Sequence, residues 1–237
     1  MKRRRIRLVG AAWGFVLLAS CDTMPGRPTE ADRPLRPAQV VSFAQLYGEN
    51  CAGCHGADGT RGAARPLNDP VYLALAGVDR LQWVTTYGVP DSLMPGFGPP
   101  AGGTLTKEQI DIIVREMQAR WGGNPPLDAA NLPPYAAGAP GDAARGKAAY
   151  AAFCAGCHGA DGGGGPKGGS IVDGSYLGLV SDQALRTAVI CGRPDLGMPD
   201  WRGGAGRGAM SEQDIADVVA WMIAQRPQFP GQPYGTD

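Results

Sequence analysis

The chain has 237 residues, with 22 basic and 22 acidic side chains, six cysteines and two histidines. That length suffices for two small domains with a leader and linkers. Setting aside the five basic residues at positions 2–7 leaves 17 basic against 22 acidic, a mildly acidic remainder unsuited to nucleic acid and suited to a basic protein surface. Both histidines, His55 and His158, sit inside short cysteine motifs, so no imidazole is left elsewhere for a zinc site or a Cys–His nucleophile pair.

The first seven residues are strongly basic, and the apolar run from Leu8 to Ala19 is too short to span a bilayer as an ordinary helix. Residues 1–20 therefore read as a signal peptide. The run ends Leu18-Ala19-Ser20-Cys21, which resembles a bacterial lipobox. The resemblance implies that Cys21 is acylated and becomes the mature N-terminus, and Asp22 after it implies retention at the inner membrane. The expected location is the periplasmic side of the cytoplasmic membrane, with a lipid anchor. Residues 21–38, with Pro25, Pro28 and Pro34 and no apolar periodicity, read as an extended tether.

An internal repeat organises the rest. Cys51 to Gly59 and Cys154 to Gly162 are identical in all nine residues, both reading CAGCHGADG. Further on, the stretch from Tyr87 to Pro95 matches the stretch from Cys191 to Pro199 at Gly, Pro, Asp, Met and Pro. Two domains of one fold account for this, at 39–122 and 141–228, joined by a linker at 123–140 and followed by a tail at 229–237. Each copy carries helical patterns. One helix precedes the cysteine motif and bears Tyr47 or Tyr150. A middle helix, at roughly Asp79 to Tyr87 and Asp182 to Cys191, stops at Gly88 or Gly192. A terminal helix starts with Thr106 and Gln109, or Ser211 and Asp214, spaced as capping boxes, and then places Ile110, Ile113, Val114 and Met117, or Ile215, Val218, Val219 and Met222, on one face. No stretch alternates as a strand, and the expected class is all-α.

In Cys51-Ala52-Gly53-Cys54-His55 and Cys154-Ala155-Gly156-Cys157-His158, each thiol pair can form thioethers with haem vinyl groups while the adjacent histidine reaches the iron. A redox dithiol shares the CxxC spacing but leaves the repeated Met region unexplained. With no third histidine, the sixth ligand is a methionine, a cysteine or an open position. Met94 and Met198 lie at matching positions after Gly-x-Pro-Asp, 39 and 40 residues beyond their histidines, whereas Met117 and Met222 belong to apolar helix faces.

Motif, His-to-Met separation and terminal helices together resemble class I cytochrome c, twice over. The resemblance implies helices wrapped around each of two covalently bound haems c, and His55/Met94 and His158/Met198 as iron ligands. It also implies one-electron transfer through an exposed haem edge, with no catalytic residue. A backbone carbonyl should orient each proximal imidazole. Pro66 is the candidate in the first copy, while in the second Ser170 aligns there and Pro166 lies earlier in a glycine-rich insert. The crossing of the terminal helices should set Gly146 against Trp221 in the second copy and Phe43 against Glu116 in the first. Tyr47, Tyr150, Phe97 and Trp201 should pack around the haems.

These readings lead to an electron carrier between a quinol-oxidising complex or dehydrogenase and a terminal acceptor. Its expected partners are redox proteins of a membrane chain, with no small-molecule substrate. The alternatives are a subunit fixed in such a complex, or a dihaem sulfur-compound dehydrogenase using Cys191, a cysteine seven residues before Met198 that reads otherwise as a buried structural thiol.

Overall fold

The computed structural model describes residues 26, 29, 32–90, 92–123, 128–203 and 208–228. The signal peptide, Cys21 and the 229–237 tail lie outside the described residues. One compact unit ends at Gln39 and contains a 3₁₀ turn at Pro37–Gln39; a second unit runs from Val40 onward and holds both repeats.

In the first repeat the helices are α1 (Phe43–Asn50), α2 (Ala52–His55), α3 (Pro70–Tyr87) and α4 (Lys107–Trp121). In the second they are α5 (Ala143–Phe153), α6 (Ala155–His158), α7 (Gly174–Leu179), α8 (Asp182–Cys191) and α9 (Glu212–Ile223). Among the described residues there is no strand, only an isolated bridge between Arg193 and Met198. The all-α class follows from the cap and periodicity signals. Both expected capping boxes form: Thr106 accepts from the Gln109 N–H and Ser211 from the Asp214 N–H, and each partner side chain returns a bond to the cap backbone.

The middle helix differs from expectation by starting earlier. Asp69 accepts hydrogen bonds from the N–H groups of Val71 and Tyr72, and Pro70 occupies the first turn, where its missing N–H costs nothing. The chain then breaks at Gly77, at φ 67°, and resumes as the expected segment. In the second repeat Asp173 caps α7 in the same way, and the break falls at Val180, separating α7 from α8.

Two apolar clusters form the core. One gathers Leu46, Tyr47, Leu73, Leu81, Ile113 and Val114 from the first repeat. The other gathers Tyr150, Leu177, Leu185, Ile190, Ile215 and Val218 from the second, and also takes in Val71 and Leu75 from α3. The first repeat thus supplies two side chains to the core of the second. Part of the segment joining the repeats packs on the same cluster through Leu132 and Tyr135, and Arg186 donates to the carbonyls of Pro134 and Tyr135.

The terminal helices cross in both repeats, by different means. In the second, a Cβ on Gly146 would collide with the Asp217 carbonyl oxygen, so the backbones of α5 and α9 nearly touch. The Tyr150 and Trp221 rings stack at 4.3 Å beside that crossing. In the first repeat Phe43 also meets Trp121, whose ring lies 5.9 Å from that of Phe43 and 5.2 Å from that of Tyr47. With Phe43 where the second repeat has glycine, the first crossing is filled by rings packed edge to face. The tryptophan that closes it comes from the last turn of α4.

Candidate haem-binding sites

Each cysteine motif folds into one helical turn. Cys51 and Cys154 flank the starts of α2 and α6, and Gly56 and Gly159 end them at the same φ of 82°. The Tyr47 hydroxyl donates to the Gly56 carbonyl at 3.0 Å, and Tyr150 donates likewise to Gly159. These bonds tie the preceding helix to the turn. None of the four motif cysteines is in a disulfide; Cys51 is buried, Cys54 exposed, and Cys154 and Cys157 half-buried. Burial, with the neighbouring Cys54 second, pushes the Cys51 thiol up to about 12.

The two histidines are held identically. His55 Nδ1 lies 2.7 Å from the Arg65 carbonyl oxygen and His158 Nδ1 2.8 Å from that of Gly169. A carbonyl only accepts, so Nδ1 carries the proton and Nε2 keeps a free lone pair. In the first copy the orienting carbonyl is therefore not that of Pro66 but that of the residue before it. The second copy follows the same register, since Gly169 precedes Ser170. A Cβ at Gly168 would stand 2.8 Å from the His158 ring, so the glycine-rich insert wraps that imidazole closely.

His55 Nε2 is buried with no hydrogen-bond partner in the chain. Desolvation pushes the imidazole below its usual value, against the bond to Arg65, and so keeps it neutral. A buried, neutral, oriented imidazole with an orphaned lone pair beside two thiols is what a covalently held haem iron requires, and the donor set fits that group.

Met94 and Met198 lie half-buried in the loops that leave α3 and α8. Both loops are built alike. The Val89 N–H donates to the Met94 carbonyl and the Arg193 N–H to the Met198 carbonyl, each at 3.0 Å. Gly88 and Gly192 have positive φ, and a Cβ at either would stand 2.7 or 2.6 Å from the same methionine carbonyl. That close approach is why the repeat keeps glycine there. Phe97 and Trp201, just beyond, close back onto the helices through N–H bonds to the Thr85 and Ile190 carbonyls. Met117 and Met222 are buried in the two clusters, as their helix faces required.

Cys191 is 1% exposed, and burial first of all pushes its thiol up to about 12. It lines an open cleft of about 730 Å³ with Asp69, Val71, Met198 and Arg202. Asp69 gave no functional signal in the sequence beyond the Asp-x-x-Tyr-Leu spacing that recurs at Asp173.

An all-helical fold carrying CxxCH turns with carbonyl-oriented histidines defines a c-type cytochrome, an electron-transfer protein with covalently bound haem c. The family model described as cytochrome c oxidase, cbb3-type, subunit III matches residues 38–115 and 141–222, well over half of the chain, and the chain belongs to that family. Among solved structures it is similar to a chain of the "Kuenenia stuttgartiensis reducing HAO-like protein complex Kustc0457/Kustc0458". The identity is 18% and the TM-score 0.45, over 82% of this chain and 100% of that one.

Proposed function

We propose that this protein carries single electrons through two haems at the periplasmic face of the cytoplasmic membrane, tethered by an acyl group on Cys21, between a quinol-oxidising complex or dehydrogenase and a terminal acceptor. The observation that carries the reading is the duplicated histidine geometry, in which two imidazoles are each fixed through Nδ1 by a carbonyl at the same register. Haem c supplies a one-electron iron couple when bound. The chain would contribute Cys51, Cys54, Cys154 and Cys157 as thioether partners, His55 and His158 as proximal ligands, and Met94 and Met198 as soft distal ligands that favour the reduced state. Apolar side chains next to the methionines, Leu93 at 98% and Leu196 at 71% exposure, suit contact with redox protein partners.

The family description favours a second reading, in which the same module is a fixed subunit of a respiratory complex. Co-purification from membranes with stoichiometric partners separates this from a free carrier. The sulfur-compound dehydrogenase reading needs an accessible thiolate, and the burial of Cys191 opposes one.

Haem content per chain, followed by a potentiometric titration watching the far-red absorption band of a methionine sulfur on ferric haem, tests the proposal. Two haems at positive potential are expected, with Met94→Ala and Met198→Ala each removing part of the band. One haem per chain, or a band indifferent to both substitutions, overturns it.

A further inference from the structure

Arg65 has a side chain that electron carriage through the two ligand sets leaves without a task. Its carbonyl holds His55 from the Nδ1 side, so the backbone of the residue stands behind the imidazole, opposite Nε2. The guanidinium carbon lies 5.5 Å from the centre of the Tyr72 ring. Tyr72 in turn packs against the apolar cluster of the second repeat, so Arg65 borders that repeat. Tyr72 and Tyr176 are matching residues, each three positions after the Asp that caps α3 or α7. Arg65 therefore lies over a tyrosine that reaches the core of the second repeat.

Nη1 of Arg65 is buried and has no hydrogen-bond partner, and Arg65 makes no ion pair among the described residues. A buried guanidinium nitrogen without an acceptor is costly and calls for an anion. Asp69 does not supply it: its Oδ1 is committed to the α3 cap, and its Oδ2 is itself buried and unpartnered. Burial also pushes the Asp69 carboxyl up, toward its neutral form. What the site accepts is a planar carboxylate, which a guanidinium binds through paired N–H groups.

We propose that Arg65 of the first repeat binds a propionate carboxylate of the haem held by the second repeat. This rests on the two-haem reading above. The cluster on which Tyr72 packs includes Cys191, and Cys191 ends the helix that leads into the Met198 loop. The position matching Arg65 in the second repeat is Gly169, which has no side chain to offer the other haem. One haem thus gains a fixed cation and the other does not, and two nearly identical ligand sets acquire different potentials. A positive charge beside the carboxylate disfavours the ferric form, so Arg65 raises the potential of the second-repeat haem.

The test uses the full haem-loaded chain. Haem content is measured first, and Met198→Ala identifies the potentiometric wave of the second repeat. Arg65→Gln is expected to lower that wave by more than the first-repeat wave, equal lowering of the two overturning the contact, while Arg65→Lys keeps most of the wild-type potential. Resonance Raman bands of propionate bending should shift in Arg65→Gln. If that variant does not retain haem, the same band in Arg65→Lys decides, a shift supporting the contact and an unchanged band overturning it. Two haems with both waves unmoved in Arg65→Gln overturn this proposal alone, as does a wild-type potential that follows added phosphate, which would mark an exchangeable buffer anion. A single haem per chain overturns the two-haem reading and this proposal with it.

Discussion

Gly59 lies against the indole of Trp121 so closely that a Cβ on it would stand 2.9 Å from the ring, and Gly162 repeats the contact with Trp221 at 3.1 Å. Both glycines close the nine-residue motif at positive φ. The last turn of each repeat's terminal helix therefore rests on the turn that carries its histidine. Gly59→Ala adds a left-handed strain to a ring collision and is expected to cost about 1–3 kcal/mol. Denaturant unfolding of the haem-loaded protein measures it, and an unchanged midpoint would refute the contact.

Gly168 offers a local probe of the second histidine. Gly168→Ala places a methyl against the His158 ring and should rotate the imidazole on its Gly169 carbonyl. Only the second-repeat potential should move, with the first unchanged. Equal movement of both waves would mean that the insert does not act through His158.

The second repeat also carries a pH-dependent clamp. Asp217 accepts from the Arg145 side chain at 2.7 and 2.9 Å, from the Asp142 N–H and from Gln213. Arg145 above all holds its carboxyl down at about 2. A carboxyl depressed on folding stabilises the native state above the ordinary carboxylate value of about 4 and loses that contribution as pH falls toward its folded value. Stability should thus fall as pH drops between those limits, and Asp217→Asn should flatten the slope there. A slope identical in the two proteins would remove Asp217 from the account.

Cys191 should behave as an apolar residue. Iodoacetamide should leave it unmodified in the native haem-loaded chain and label it after denaturation, as read by peptide mass spectrometry. Its thiol is raised on folding, so the stability it lends is complete below the ordinary thiol value and fades as pH rises toward about 12. Cys191→Ala is expected to cost about 1 kcal/mol and to leave both haem spectra intact. A lost or altered iron band in that variant would return it to the ligand candidates.

Much of this was legible because capping and repetition are local signals. Thr106, Gln109, Ser211 and Asp214 act within one helical turn, and the boxes formed where their spacing placed them. The repeated Gly88 and Gly192 marked loops whose tightness only the backbone approach explains. The misses were tertiary. The contact of Trp121 with Phe43 and Tyr47 joins residues more than seventy positions apart, and no local spacing announces it. The orienting carbonyl belongs to Arg65 and not Pro66, and to Gly169 in the other copy, and a backbone acceptor leaves no mark on the residue type that carries it.

Val71 and Leu75, rooted in the first repeat and seated in the core of the second, bear on how the molecule assembles and how it could be divided. A chain severed after residue 123 would leave its downstream half with two vacated places among its buried side chains. That half should melt earlier alone than within the intact protein, and adding the upstream half in trans should restore part of the difference. The duplication that produced the two copies has since made the later one structurally dependent on the earlier.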